Sequence, residues 1–461
     1  MSRPFALLLC LPLIIWLWKR DQRARPSFSP ALWIPTFWML LLGSRSLSWW
    51  LGIGGGSGGD LEGNSFDRVL YIALIFASIY IVSKRGIDWA SIIQRNKALL
   101  LLYLFLFATI MWSPYPFVTF RRWFKDLGAI FLILVILTEQ NPLEATKAIF
   151  ARCAYVWFPL SEIFAKYFPA IGREYSRGGG TMYTGVTSQK NSLGEIILVV
   201  CLFLISELAQ ANRPREAKFL RGHHFTIFFT LAMGLWLLYL CNSKTALICL
   251  VIGTAIVLGH KLPLFRGHPQ RVLTLVLVAV PLYFVADNMF KISDDLLSLV
   301  GRDSTLTERT LIWDAIKQNP ADPVFGSGYM MYWDVHKGRV EAGDITFSIK
   351  TAHNGYLETY LDGGTLGICF LIIMLAGVGI RAIRVFLTDS EYGRLALAFY
   401  VAMLVYNYSE ATFARRCPIW FAFLLFSLEF RGYIPSPVPE ERTVVDDFAF
   451  AGHETVGSGR A

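Results

Sequence analysis

Apolar positions in this chain come in long unbroken runs rather than in alternation. Runs near 4–18, 30–44, 69–83, 98–112, 120–139, 148–168, 192–209, 225–241, 245–260, 271–289, 365–380, 394–409 and 417–430 are separated by shorter charged segments. A helix of ~20 residues crosses a hydrocarbon layer of about 30 Å, and most of these runs approach that length. The pattern therefore predicts an all-α polytopic membrane protein with about 12–13 transmembrane helices. One polar interval interrupts the series, at 290–364, and is read as a single large outward loop. The expected organisation is a membrane domain over 1–431 and a disordered cytoplasmic tail over 432–461, which carries Pro435, Pro437 and Pro439.

Composition supports the bilayer. The 461 residues are 54% hydrophobic and 17% charged, whereas soluble domains carry about 25% charge. The first run has the look of a leader, but Lys19, Arg20, Arg23 and Arg25 follow it and no A-x-A site appears, so a retained helix is expected. The net charge of +9 is not gathered in one patch, which argues against nucleic acid as a partner. Lys and Arg collect instead in 19–25, 84–97, 213–221, 261–271 and 381–394, which alternate consistently if all face the cytoplasm. The loops 45–68, 113–119, 169–191, 242–244, 290–364 and 410–416 then face outward, the first with a flexible glycine-rich segment, GIGGGSGGDLEG. Seven cysteines form no CxxC pair and read as apolar packing residues.

Every chemically dense stretch falls on the outward side. No ATP is supplied there, so an enzyme needs an already activated substrate. His353 is expected to head a helix, HNGYLETYLDGG, with Glu358 displaced from its face. Its imidazole suits a general base; the alternative is a histidine that caps or packs the helix start. Arg309 lies in an amphipathic helix, TLTERTLIWDAIKQNP, and with Arg302 is directed either at an anion or at solvent. Lys244 follows Asn242 and Ser243 at the hydrocarbon boundary, as a phosphate contact or a snorkelling amine. Ser188 or Asn191 is expected to cap the next helix, where Lys190 adds a positive charge. Arg121, Arg122 and Lys125 stand on the outward side against the positive-inside rule, for an acidic head group or as an interfacial stretch. No Walker lysine loop, HExxH, GxSxG or outward DxD pair is present, so neither a metal nor a cofactor is expected.

Four stretches together resemble the O-antigen ligase and polymerase superfamily, most closely its exopolysaccharide-production branch. They are SQKNSLG (188–194), NSKTALICL (242–250), GRDSTLTERTLIW (301–313) with PVFGSGY (323–329), and AHNGYLETYLDGGTLG (352–367); GSRSLSWWL (43–51) adds to them. The resemblance implies a GT-C-like membrane fold and a metal-independent glycosyltransferase in the bacterial inner membrane. Glycan would pass from an undecaprenyl-diphosphate carrier to an acceptor hydroxyl at the periplasmic face. Implied partners are that donor, an acceptor glycan or lipid, membrane lipids and other polysaccharide-export components. His353 matches the family's base and Arg309 the arginine that precedes the loop tryptophan. Lys244 stands where the family usually has arginine, keeping the charge and losing the fork. Expected substrate contacts are Lys190, Asn191, Arg121, Arg122, Arg302, Asn354, Tyr356 and Glu358, the last either orienting His353 or holding the acceptor. A polymerase is the first expectation and a ligase to lipid A-core the second. A lipid-linked oligosaccharide flippase would want charges deep in the helices and repeated halves, whereas the helices read as nearly charge-free.

Overall fold

A computed structural model describes residues 3–25, 27–53, 64–175, 180–210, 217–290, 306–336, 341–342, 345–346 and 350–430. Expectations for Arg302, the glycine run 54–63 and the tail beyond 430 lie outside these residues, and Arg309 is described by its backbone alone.

In a bilayer only the helix itself can satisfy every backbone N–H and C=O of an isolated apolar run, and the runs fold accordingly. In chain order the helices are α1 (Arg3–Ala24), α2 (Trp33–Leu42), α3 (Leu47–Trp50), α4 (Ser65–Ser83), α5 (Trp89–Arg95), α6 (Lys97–Ala108), α7 (Pro116–Leu137), α8 (Pro142–Tyr167), α9 (Pro169–Gly172), α10 (Lys190–Ala209), α11 (Ala217–Cys241) and α12 (Lys244–Leu258). They continue as α13 (Pro269–Phe290), α14 (Leu306–Gln318), α15 (Tyr332–Val335), α16 (Gly355–Phe386), α17 (Glu391–Ser409) and α18 (Pro418–Ser427). The described residues hold two antiparallel hairpins: β1 (Arg173–Tyr175) pairs β2 (Thr181–Tyr183), and β3 (Glu341–Ala342) pairs β4 (Ile345–Thr346). The protein is an all-α, multi-pass membrane protein.

Among the described residues, six helices are long and apolar enough to span, and the α5–α6 pair, bent by 88°, makes up to seven. This is fewer than the 12–13 expected, because several apolar runs fold into helices that are too short or too charged. The ten residues of α2 and of α18 each reach only about 15 Å. α7 is long enough but carries Arg121, Arg122, Lys125 and Asp126. The bend between α5 and α6 lies at Asn96, whose side chain bonds the backbone of Glu429 at both N–H (2.8 Å) and C=O (3.0 Å). Part of the expected loop 84–97 is thus a short helix laid across the end of the bundle.

α10 stands at the centre, packed by α8, α11, α12, α17 and α18. A run of rings ties four of these together: Phe150 on Phe203 at 4.4 Å, Phe203 to Phe399 at 5.0 Å, Phe399 to Phe426 at 5.3 Å. The expectation of charge-free helices is corrected here, since Lys125, Asp126, Lys147, Arg152 and Glu195 are buried within them. Among them Lys147 pairs with Glu391 (2.7 Å), Asp126 accepts from the Tyr103 hydroxyl (2.8 Å) and Glu195 from Ile419 N–H (2.9 Å), which offsets part of the cost of burial.

The two sets of loops separate to opposite ends. At one end Arg25 meets Asp21 (2.7 Å) and Glu207 (2.8 Å), Lys147 meets Glu391 (2.7 Å), Arg85 meets Glu139 (2.8 Å) and Arg95 meets Glu429 (2.6 Å). These belong to or adjoin the loops read as cytoplasmic. At the other end lie 45–48, 113–122, 171–175, 180–191, 242–245, 322–336, 351–366 and 409–416, joined by contacts such as Arg45 N–H to Val186 C=O at 3.0 Å and Ser327 N–H to Leu361 C=O at 2.9 Å.

α16 positions the site. Its 32 residues would run about 48 Å, well beyond a hydrocarbon layer of about 30 Å. The helix breaks at Gly364 (φ 61°, ψ −158°), leaving 365–386 as the spanning part. The segment 322–329 is pressed into the break: Thr365 N–H donates to Pro323 C=O (2.9 Å) and Gly328 N–H to Asp362 C=O (2.9 Å). A Cβ on Gly364 would stand 2.3 Å from the Val324 carbonyl carbon, and one on Gly326 2.5 Å from that of Asp362. The glycines of PVFGSGY and LDGG are therefore two halves of one interlock.

Candidate active site

His353 does not head its helix. The cap of α16 is Asn354, whose Oδ1 accepts from the N–H groups of Tyr356 and Leu357, both at 3.0 Å. His353 stands just before it in the left-handed region, at φ 50°. Histidine tolerates that region better than most residues, and here it turns the imidazole out of the helix line. Its Nδ1 lies 3.4 Å from Glu410 Oε2 with the side chain 28% exposed. The other oxygen of Glu410 accepts from Asn191 Nδ2 at 2.6 Å. One carboxylate thus bridges the start of α16 and the start of α10.

Neither Ser188 nor Asn191 caps α10; the cap is Gln189, without a side-chain bond, and Asn191 turns its amide to Glu410. Lys190 is the first residue of α10 and Lys244 the first of α12, and neither first turn holds an acidic residue. The two helix starts adjoin, since a Cβ on Gly194 would lie 2.5 Å from that of Ser243. Beside Lys244, Thr245 Oγ1 meets Ser409 Oγ at 2.5 Å, one residue from Glu410. His353, Asn354, Lys190, Asn191, Lys244 and Glu410 therefore gather at one end of the bundle.

The 410–416 turn is held by Asn407, fully buried, whose Oδ1 accepts from Thr412 N–H (2.8 Å) and Phe413 N–H (3.1 Å). Asn407→Ala is expected to cost about 1–3 kcal/mol by stranding those donors; a melting curve in detergent measures it. Arg415, from the same turn, reaches Asp362 Oδ2 (2.6 Å) and Glu358 Oε1 (3.1 Å). Burial alone would lower the Arg415 pKa, but the Asp362 and Glu358 carboxylates outweigh it and the net shift is upward. Glu358 also accepts from Trp333 Nε1 and from Ala352 N–H, both at 2.8 Å. Trp313 of α14 donates to the Ala352 carbonyl at 3.0 Å, and Arg309 stands one turn before it.

Left-handed non-glycine residues cluster here too. Of the five described, Asn242, Met330, His353 and Ala414 lie at this end. Such backbone costs of order 1–3 kcal/mol each and persists where surroundings enforce it.

A family model described as O-antigen ligase matches residues 229–372. The chain is also 24% identical over 344 residues to the exopolysaccharide production protein ExoQ of Rhizobium meliloti (strain 1021), covering 69% of this chain and 73% of the relative. The chain is thus similar to O-antigen ligases over its middle third and to an exopolysaccharide production protein over about two thirds of its length. Lys244, Arg309 and His353 fall inside the stretch matched to the O-antigen ligase model, whereas Lys190, Asn191, Glu410 and Arg415 fall outside it.

Several of the expected substrate contacts are engaged within the protein. Arg122 pairs with Asp334 (2.6 Å) and also donates to the Met330 carbonyl; Arg121 lies 3.8 Å over the Phe117 ring. Tyr356 turns into the bundle, its hydroxyl donating to Leu404 C=O at 3.1 Å. Asn354 is occupied as a cap, with its Nδ2 on the Tyr408 carbonyl at 3.2 Å. Sequence reasoning missed Glu410 and Arg415. The signal available was EATFARR, one acidic and two basic residues packed into a seven-residue outward loop between two apolar runs.

Proposed function

We propose that the chain is a metal-independent glycosyltransferase of the polymerase kind, working at the periplasmic face of the bacterial inner membrane. The donor is a glycan on undecaprenyl diphosphate, and the acceptor is a hydroxyl of a second lipid-linked glycan. The acceptor oxygen attacks the anomeric carbon, its proton passes to His353, and the bond to the diphosphate breaks with its electron pair leaving on phosphate. Lys244 and Arg309 offset that charge, with Lys190, Arg121, Arg122 and Arg302 as further cations. Asn191, Asn354, Tyr356 and Glu358 shape the floor of the site around them.

The observation that carries this reading is the pair of lysine-headed helix starts beside His353. A helix N-terminus bears about half a positive charge and points N–H groups outward, so it attracts anions, and a lysine at the same start adds to that attraction. Two such starts side by side match a diphosphate. The description of the matching family as O-antigen ligase favours a second reading, transfer of finished chains to lipid A-core or another acceptor.

A deletion strain separates the two. A polymerase deletion is expected to accumulate single repeat units on the lipid carrier, and a ligase deletion full-length chains. An unchanged pool of lipid-linked glycan would overturn both.

A further inference from the structure

We infer that Arg415 is a positioning residue, holding the His353 loop in register with the helix that carries Arg309. The inference rests on the catalytic reading of His353 but reaches residues outside the matched stretch. Glu358 is the hub. Its Oε2 accepts from Ala352 N–H (2.8 Å), and its Oε1 from Trp333 Nε1 (2.8 Å) and Arg415 (3.1 Å). The carboxylate is buried and three donors hold it, so it is a structural pin rather than an acceptor contact. The N–H it pins is that of the residue immediately before His353, and the carbonyl of the same residue is held by Trp313 at 3.0 Å. Residue 352 is thereby clamped from both sides, by the loop tryptophan of α14 through its C=O and by Glu358 through its N–H.

Glu358 has a rival nearby. Asp362, one turn on, is also buried, and both carboxylates share the single guanidinium of Arg415. Without Arg415 two buried carboxylates face each other in a medium that screens poorly, and one must move or take up a proton. Movement of Glu358 releases Ala352, and His353 with it. Arg415 comes from the same turn as Glu410, so one loop sets both the imidazole's partner and its backbone.

The test uses the full chain in proteoliposomes with a polyprenyl-diphosphate-linked glycan, turnover being normalised to monodisperse protein. Arg415→Met is expected to lower kcat about tenfold with KM within about twofold, as displacement of a positioned group does. Carbethoxylation of His353 by diethyl pyrocarbonate, followed by peptide mass spectrometry, is expected to accelerate while that of His260 at the opposite end does not. Adding Asp362→Asn is expected to recover much of the loss, because it removes the rival charge and leaves Glu358 on Ala352. Arg415→Lys falls between. Unchanged His353 reactivity in Arg415→Met, or a double variant no better than the single, would overturn the inference. Full turnover in His353→Asn would instead overturn the catalytic reading, and the reactivity measurement stands independently of it.

Discussion

His353→Asn is expected to reduce glycan transfer by about 10²–10⁴-fold, the range a general base contributes, while leaving the protein folded. Asparagine is the better probe than alanine because residue 353 sits at φ 50°, where asparagine is at ease and alanine is strained. The substitution thus removes the imidazole without also disturbing the backbone. With Nδ1 turned toward Glu410 at 3.4 Å, Nε2 is left as the nitrogen that would receive the acceptor proton in the proposed mechanism. The distance is long for a hydrogen bond, as such pairs often are without substrate. Glu410→Gln keeps the shape and the Asn191 contact but gives up the charge that stabilises the imidazolium, so a smaller loss of about tenfold is expected. Transfer is measured from a lipid-linked donor to acceptor in vitro, with polymer output in cells as the parallel reading. If His353→Asn keeps wild-type turnover, another group takes the proton.

Gly364→Val is expected to be the most damaging substitution for the fold of this end. Two penalties add. At φ 61° and ψ −158° the residue occupies backbone that is essentially glycine's alone, a cost of about 1–3 kcal/mol for any side chain. The new Cβ would also meet the Val324 carbonyl carbon at 2.3 Å, which is backbone and cannot swing aside. Separation would sever the bonds from Thr365 N–H to Pro323 and from Leu366 N–H to Val324 (2.9 and 3.2 Å), each worth about 0.5–1.5 kcal/mol. The expected sum exceeds about 3 kcal/mol, seen as a lower melting temperature and faster proteolysis between 306 and 336. Gly52→Ala is the control: its φ is also positive, at 63°, but nothing lies within 4 Å of the added carbon. Equal melting temperatures for wild type and Gly364→Val would show that the interlock contributes little.

Much of the fold is legible in the sequence. Unbroken apolar runs can satisfy their backbone in lipid only as helices, so the fold class follows from hydropathy alone. The alternation of basic loops sorted the segments into two sets, and the same two sets lie at opposite ends. Lys244 stands out because a charge at a hydrocarbon edge is costly enough to need a reason, and His353 because an outward imidazole ionises near neutrality. Less visible was the short outward loop 410–416, in which Glu410 and Arg415 looked like ordinary loop charges. Their meaning depends on residues 53 or more positions away, and periodicity has no access to such pairings.

The sequence by itself determined the helical, membrane-embedded class, the two-sided distribution of charge and the end at which His353, Lys190 and Lys244 gather. All three are local consequences of solvation and backbone hydrogen bonding. Only the tertiary structure decided that Asn354 rather than His353 begins α16, that Glu410 joins the imidazole to Asn191, and that Arg415 holds two buried carboxylates together. Those depend on which loops meet when α10, α12, α16 and α17 pack. That is settled by close contacts such as Gly194 against Ser243 and Gly355 against Asn407, where the absence of a side chain lets the chains approach.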